Sequence, residues 1–123
     1  RAQRYPLSSY ALHVERARLG RVWSRFLTNH AVAIGPNWSC PLWPAGADLD
    51  PEGGLELLER TTWFTLPGSA LGLPSVALPA GLDGEGLPVG VQIYADLWRD
   101  DLCLEAAELI EAGFGAPAPV DPA

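Results

Sequence analysis

Ser75-Val76-Ala77-Leu78-Pro79, then Gly81-Leu82-Asp83-Gly84-Glu85-Gly86, then Leu87-Pro88-Val89-Gly90-Val91-Gln92-Ile93-Tyr94 is the stretch that decides the fold. The outer two runs are mostly apolar and read as strands. The middle run is made of residues that tolerate positive φ. Together they predict an antiparallel hairpin. Gly90 leaves room for another backbone or a ligand to approach the return strand. A lone hairpin is not stable in water, so more strands must lie beside it. Only Ala31-Val32-Ala33-Ile34, ended by Gly35-Pro36, reads as a further strand.

Helical patterns surround these strands. Ser8 or Ser9 can cap a first helix. Leu12, Leu19, Val22, Trp23, Phe26 and Leu27 recur along it at helical spacing, with Arg18, Arg21 and Arg25 on another face. That apolar stripe must be buried against something. His13 and His30 flank this helix and read as surface or capping residues, since neither has a second ligand at metal spacing. Asp50-Pro51-Glu52 predicts a cap, a proline in the first turn and a short helix to about Arg60. Asp100 or Asp101 can cap a last helix with the stripe Leu102, Ala106, Leu109 and Ile110, ended by Gly113. Cys103 borders that stripe and reads as a small core residue. Residues 115–123 read as an extended tail. Between the first strand and the second helix, Asn37-Trp38-Ser39-Cys40-Pro41-Leu42-Trp43-Pro44 is an irregular aromatic loop. Loops after buried strands are where α/β folds place ligands; the alternative is that Trp38 and Trp43 plug a surface.

Composition narrows the chemistry. The 123 residues are one domain or part of one, 48% hydrophobic and 19% charged, with 13 glycines and 12 prolines. No apolar run approaches the ~20 residues of a membrane-spanning helix, so no membrane partner is expected. The first six residues lack the apolar stretch of a signal peptide. Two distant cysteines, Cys40 and Cys103, are too few for a disulfide scaffold and fit a reduced, cytoplasmic setting. All eight basic residues are arginines, so no lysine base, Schiff base or P-loop lysine exists within the chain. There is no methionine, and an opening of Arg1-Ala2-Gln3-Arg4 reads as part of a longer polypeptide. Residues 1–30 hold six Arg and one Glu, +5; residues 31–123 hold two Arg and fourteen acids, −12. The basic end is read as a solvated helix face rather than a nucleic-acid patch, because the whole chain at −7 repels phosphate.

A search for a reactive centre finds little. Gly68-Ser69-Ala70-Leu71-Gly72 is not a nucleophile elbow, and Ser69 reads as a turn serine. Cys40 and His30 could pair, but no Asn or Asp is placed to orient the histidine. Asp100-Asp101 and Asp48/Asp50 are cap signals before they are catalytic pairs. Metal-ligand spacing and dinucleotide glycine patterns are lacking, so no metal, cofactor or catalytic residue is assigned.

The run from Phe64-Thr65-Leu66-Pro67-Gly68-Ser69-Ala70-Leu71-Gly72-Leu73-Pro74-Ser75-Val76-Ala77-Leu78-Pro79-Ala80-Gly81, through Gly86-Leu87-Pro88-Val89-Gly90-Val91-Gln92-Ile93, to Asp101-Leu102-Cys103-Leu104-Glu105-Ala106-Ala107-Glu108 resembles the C-terminal end of the amidase signature family, which includes fatty-acid-amide and indoleacetamide hydrolases. Phe26 to Pro36 is similar to the helix and strand that precede this end. Asn37-Trp38-Ser39-Cys40-Pro41 departs from the family's threonine-proline run, and Tyr94-Ala95-Asp96 stands where a glycine often follows the return strand.

The resemblance implies an α/β fold: the C-terminal part of a large mixed β-sheet covered by helices, here an antiparallel hairpin plus flanking helices. It implies one amidase domain across 1–123, with helix, strand and aromatic loop in 1–50, helix, hairpin and helix in 51–113, and a tail in 114–123. The implied chemistry is hydrolysis of carboxylic amides by a Ser–cis-Ser–Lys constellation with a glycine-rich oxyanion loop. The lysine and the Gly-Ser-Ser-Gly-Gly-type loop would come from an N-terminal region outside this chain, the expected partner, leaving this chain inactive alone. The resemblance implies that Thr62, Trp63, Thr65 and Leu66 line the acyl side of the pocket, that Trp38 faces the same cavity, and that Gln92 offers its amide there or bonds a neighbouring backbone. Two alternatives stand: an interaction module pairing through its sheet edge, and a small cysteine hydrolase using Cys40. Exposed sheet edges predict self-association.

Overall fold

The computed structural model describes residues 8–115. The expected tail, apart from Gly115, and the arginines at 1 and 4 lie outside the described residues. Helix α1 spans Ser9–Asn29, strand β1 Ala33–Pro36, helix α2 Gly54–Thr62, helix α3 Thr65–Leu71, strand β2 Ser75–Leu82, strand β3 Pro88–Tyr94 and helix α4 Asp100–Phe114, with a single 3₁₀ turn at Ala47–Leu49. The three strands form an antiparallel sheet in the order β1-β3-β2. The hairpin is thus completed by the one further strand, which docks on the far side of the return strand. No helix among the described residues is long and apolar enough to cross a membrane.

Strand β3 is the centre of the molecule, and its alternation feeds two cores. Ile93 turns to one face, where Ala95, Cys103 and Ala107 are buried with it and α4 lies across β2 and β3. Tyr94 turns to the other, packing with Leu71, Leu73, Phe64 and Trp23 from α3, its neighbouring loops and α1. The α/β class is borne out as helices on both faces of a three-stranded sheet. Cys103 is the small core residue its position implied, 1% exposed.

Local chemistry explains where the boundaries fall. Ser8 caps α1, accepting from the Ala11 N–H at 3.2 Å. His13 lies within α1 rather than beside it, and His30 follows its end, with Nδ1 2.9 Å from the Phe26 carbonyl oxygen. Strand β1 runs two residues later than expected, through Gly35 and Pro36. It is an edge strand, where a proline is tolerated. Gly35 is required there because an added Cβ would meet the Phe64 ring. Residues Asp50–Gly53 do not open a helix: the Asp50 carboxylate accepts the Glu52 N–H and its carbonyl accepts the Gly54 N–H, making a turn that delays α2 to Gly54. The N-cap of α4 is Arg99, not Asp100 or Asp101; Asp101 sits in the first turn and pairs with Arg99 at 2.8 Å.

Helix α3 had no signal in the sequence, and tertiary contacts explain it. Arg16 of α1 reaches across to donate to the Ala70 and Leu71 carbonyls at 2.6 and 3.3 Å, placing a cation at the helix's negative end. Gly72, at φ +74, ends the helix while its N–H and that of Leu73 both bond the Gly68 carbonyl. The apolar stripe of α1 is only partly covered: Leu27 is buried, whereas Leu12, Val22 and Phe26 stay about half exposed.

Burial raises the Cys103 thiol above its ordinary range, helped by the Asp100 and Asp101 carboxylates and opposed by the Ala95 N–H. Burial raises Tyr94 likewise. Above about pH 8.5 an unfolded thiol loses its proton while the folded one keeps it. The native state then binds more protons, and stability falls as pH rises. Urea midpoints should be level near pH 7–8 and drop between about pH 8.5 and 10.5; Cys103→Ala should remove the early part of that drop.

Candidate functional site

A cleft of about 510 Å³ opens on the sheet face opposite α4. Its floor is Ser75 of β2 with Gln92 and Tyr94 of β3, which share a face because Ser75 pairs with Tyr94 and Ala77 with Gln92. One wall is α3: Thr65, Gly68, Ser69 and Gly72 recur at i, i+3, i+4 and i+7, one side of a helix. The other wall is Asn37 and Trp38, just after β1.

Each part is held in place. The Tyr94 hydroxyl donates to the Thr65 carbonyl at 2.9 Å, tying the floor to the wall. The Tyr94 ring lies where a side chain at position 68 would otherwise sit, so Gly68 permits that contact. Trp38 packs on Trp43 with ring centroids 4.6 Å apart. The Asn37 N–H donates to the Gly90 carbonyl at 3.0 Å, rooting the second wall on β3. The lining is uncharged and mixed: Asn37, Thr65, Ser69, Ser75, Gln92 and the tyrosine hydroxyl are polar, while Leu73 and the Trp38 and Tyr94 rings are apolar. Such a lining suits a neutral ligand with both donors and acceptors and offers no counter-ion for a charged one.

The structure brings Trp38, Thr65 and Gln92 together around this cleft and leaves Thr62, Trp63 and Leu66 outside its lining. Thr62 belongs to α2, where its hydroxyl donates to the Leu58 carbonyl at 2.8 Å. Trp63 and Leu66 are about 60% exposed; Leu66 follows Thr65 by one helical step and faces away from the wall. Asn37, Ser69, Ser75 and Tyr94 also line this cleft, and the sequence assigns none of them to it. Period-two alternation from Gln92 would have found Tyr94. Ser69 was read as a turn residue because α3 itself was invisible.

Cys40 does not meet a histidine. Its Sγ lies 3.0 Å from the hydroxyl of the buried Thr61, while His30 stacks on Phe26. The cysteine-hydrolase alternative therefore lacks its base.

Among known proteins, 41% identity over 62 residues joins the chain to 6-aminohexanoate-cyclic-dimer hydrolase of Paenarthrobacter ureafaciens, covering 50% of this chain and 12% of that protein. One subunit of the glutamyl-tRNA(Gln) amidotransferase of Syntrophobacter fumaroxidans is 47% identical over 48 residues, 39% of this chain and 10% of the relative. The crystal structure of the same amidotransferase subunit from Thermotoga maritima superimposes with a TM-score of 0.71 at 24% identity, over 88% of this chain and 22% of the other. A 6-aminohexanoate cyclic dimer hydrolase structure gives 0.62 at 27% identity, over 85% and 23%. The chain thus spans less than a quarter of these solved structures, and its aligned stretches about a tenth of the curated relatives. The sequence model described as Amidase matches residues 5–104, from before α1 into α4, and on that match this chain belongs to the amidase family.

Proposed function

We propose that this chain is the C-terminal part of an amidase-signature serine hydrolase that cleaves carboxylic amides to an acid plus ammonia or an amine. The serine oxygen bonds the carbonyl carbon as the C–N bond breaks, its proton passing through the base to the leaving amine; water then cleaves the acyl ester, giving the acid its new oxygen and returning a proton to the serine. The serine nucleophile, its bridging serine and the lysine base belong to an N-terminal region of the same polypeptide. This chain contributes one side of the acyl pocket. The observation that carries the reading is the uncharged cleft, with its mixed polar and apolar lining, bounded by Trp38, Thr65 and Gln92 within a chain of the amidase family. A neutral carboxamide matches that lining: it accepts from hydroxyls and amide N–H groups, donates to amide carbonyls, and carries no charge to desolvate. On this reading the sheet continues beyond these strands into a large mixed sheet, and the half-exposed α1 stripe is covered by the earlier region.

The test is turnover. The 123-residue chain should release no ammonia from butyramide or phenylacetamide. A polypeptide carrying the lysine- and serine-bearing region ahead of it should hydrolyse them and lose activity to a serine-directed reagent. Amide hydrolysis by the isolated chain overturns the proposal.

A second reading, an interaction module pairing through its sheet edge, is favoured by one observation. Among the described residues β1 and β2 are paired only with β3, so each has an open edge, and β2 is eight residues long. Both readings expect the isolated chain to self-associate. Light scattering should give a mass above 13.2 kDa that rises with concentration; a clean monomer counts against exposed pairing surfaces.

A further inference from the structure

A second hollow, about 440 Å³, follows the cleft along the same face of the sheet. Its floor continues two residues further along each strand. Ala77 and Pro79 succeed Ser75 on β2, and Gly90 precedes Gln92 on β3, a step of about 7 Å. Its lining is more apolar than that of the first, with Leu42, Leu78, Val89 and Pro88 in place of Thr65, Ser69 and Ser75. The two hollows share only Asn37 and Trp38. Asn37 is fixed by its hydrogen bond to Gly90 and sits over the space that glycine leaves open. Trp38 is the larger divider, and its ring is braced by Trp43.

We propose that Trp38 is a specificity-determining residue: it divides one trough into a polar arm that holds the carboxamide and an apolar arm that it closes to the acyl chain, so that the site takes amides of short acyl groups. The inference rests on the amide-binding reading above and adds a length limit to it. A carboxamide held by Gln92 and Ser75 directs its carbon chain along the strands toward Gly90 and Ala77, and Trp38 stands at that boundary. Removing the indole joins the arms, and each methylene that then leaves water strengthens binding about fourfold.

The experiment titrates the isotope-labelled 123-residue chain with butyramide and with octanamide, following backbone amide signals by NMR. Butyramide should shift Gln92, Ser75 and Thr65, and octanamide should bind no more than about threefold tighter. In Trp38→Ala the octanamide-to-butyramide affinity ratio should rise at least tenfold, with new shifts at Ala77 and Val89. Trp38→Leu keeps an apolar cover if the alanine variant does not fold, and should raise the ratio in the same direction. Adding Ala77→Leu should refill the opened arm and reverse the gain. If butyramide shifts none of the polar-arm signals, the amide-binding reading fails and takes this inference with it. If butyramide binds there but neither Trp38 variant changes the ratio, or octanamide already binds the parent chain tenfold tighter, the role of Trp38 alone is overturned.

Discussion

Gly68→Ala should destabilise the molecule by about 2–3 kcal/mol, although alanine is the better helix former by up to ~1 kcal/mol. Two effects oppose each other at this position, and geometry decides between them. Position 68 is buried within α3, and a Cβ there overlaps the Tyr94 ring at Cε1 and Cζ. The ring has little freedom to retreat. Its hydroxyl is bonded to the Thr65 carbonyl, and Phe64 and Trp23 lie against it at centroid distances of 5.3 and 6.2 Å. Relief requires α3 to lift from the sheet, which opens one core and widens the cleft. Gly113→Ala is the matched control: that glycine lies in α4 with no atom near an added Cβ, so propensity alone acts and stability should rise by up to ~1 kcal/mol. Urea unfolding followed by tryptophan fluorescence reads both. Equal midpoints for Gly68→Ala and the parent would mean that the Tyr94 ring does not hold this position.

Ile93→Ala should cost about 2–5 kcal/mol, a large share of the roughly 5–15 kcal/mol that a domain of this kind has in total. Ile93 is 0% exposed and is the largest fully buried aliphatic side chain between the sheet and α4. Its fully buried neighbours Ala95, Cys103 and Ala107 are small, so partial closure of the cavity falls to the partly buried Val76, Leu78, Leu102 and Ile110 around them. Loss of this contact should free α4 first. Amide hydrogen exchange in Leu102–Ile110 should therefore accelerate more than exchange in α1, and a uniform acceleration would place the weakness elsewhere.

The hairpin and the last helix were legible because their signals are local. Alternation over 75–94 and the stripe of Leu102, Ala106, Leu109 and Ile110 need no distant partner to be read, although Leu109 is 78% exposed and the other three alone pack on the sheet. The first strand was found but placed two residues early, because Gly35-Pro36 ends a central strand and only the edge position tolerates it. Helix α3 was hidden because what stabilises it, the Arg16 cap and the Tyr94 contact, comes from residues more than twenty positions away. The site divided differently. Trp38, in an irregular loop, and Gln92, in the return strand, are assigned by the family resemblance, and both line the cleft. The resemblance assigns Thr62, Trp63, Thr65 and Leu66 as one stretch, but the turn between α2 and α3 sends only Thr65 of these four to the cleft wall.

Ile93 and Tyr94 are adjacent in the chain yet anchor opposite sides of the sheet. A one-residue slip of β3 against its neighbours would exchange them, thrusting a phenol toward α4 and an aliphatic group toward α3. Neither half could then persist in its native form while the other rearranged. In the parent chain the dipeptide therefore acts as a common bolt, and melting monitored from either side of the molecule should follow a single, all-or-none curve, which Ile93→Ala, by removing one end of the bolt, should split.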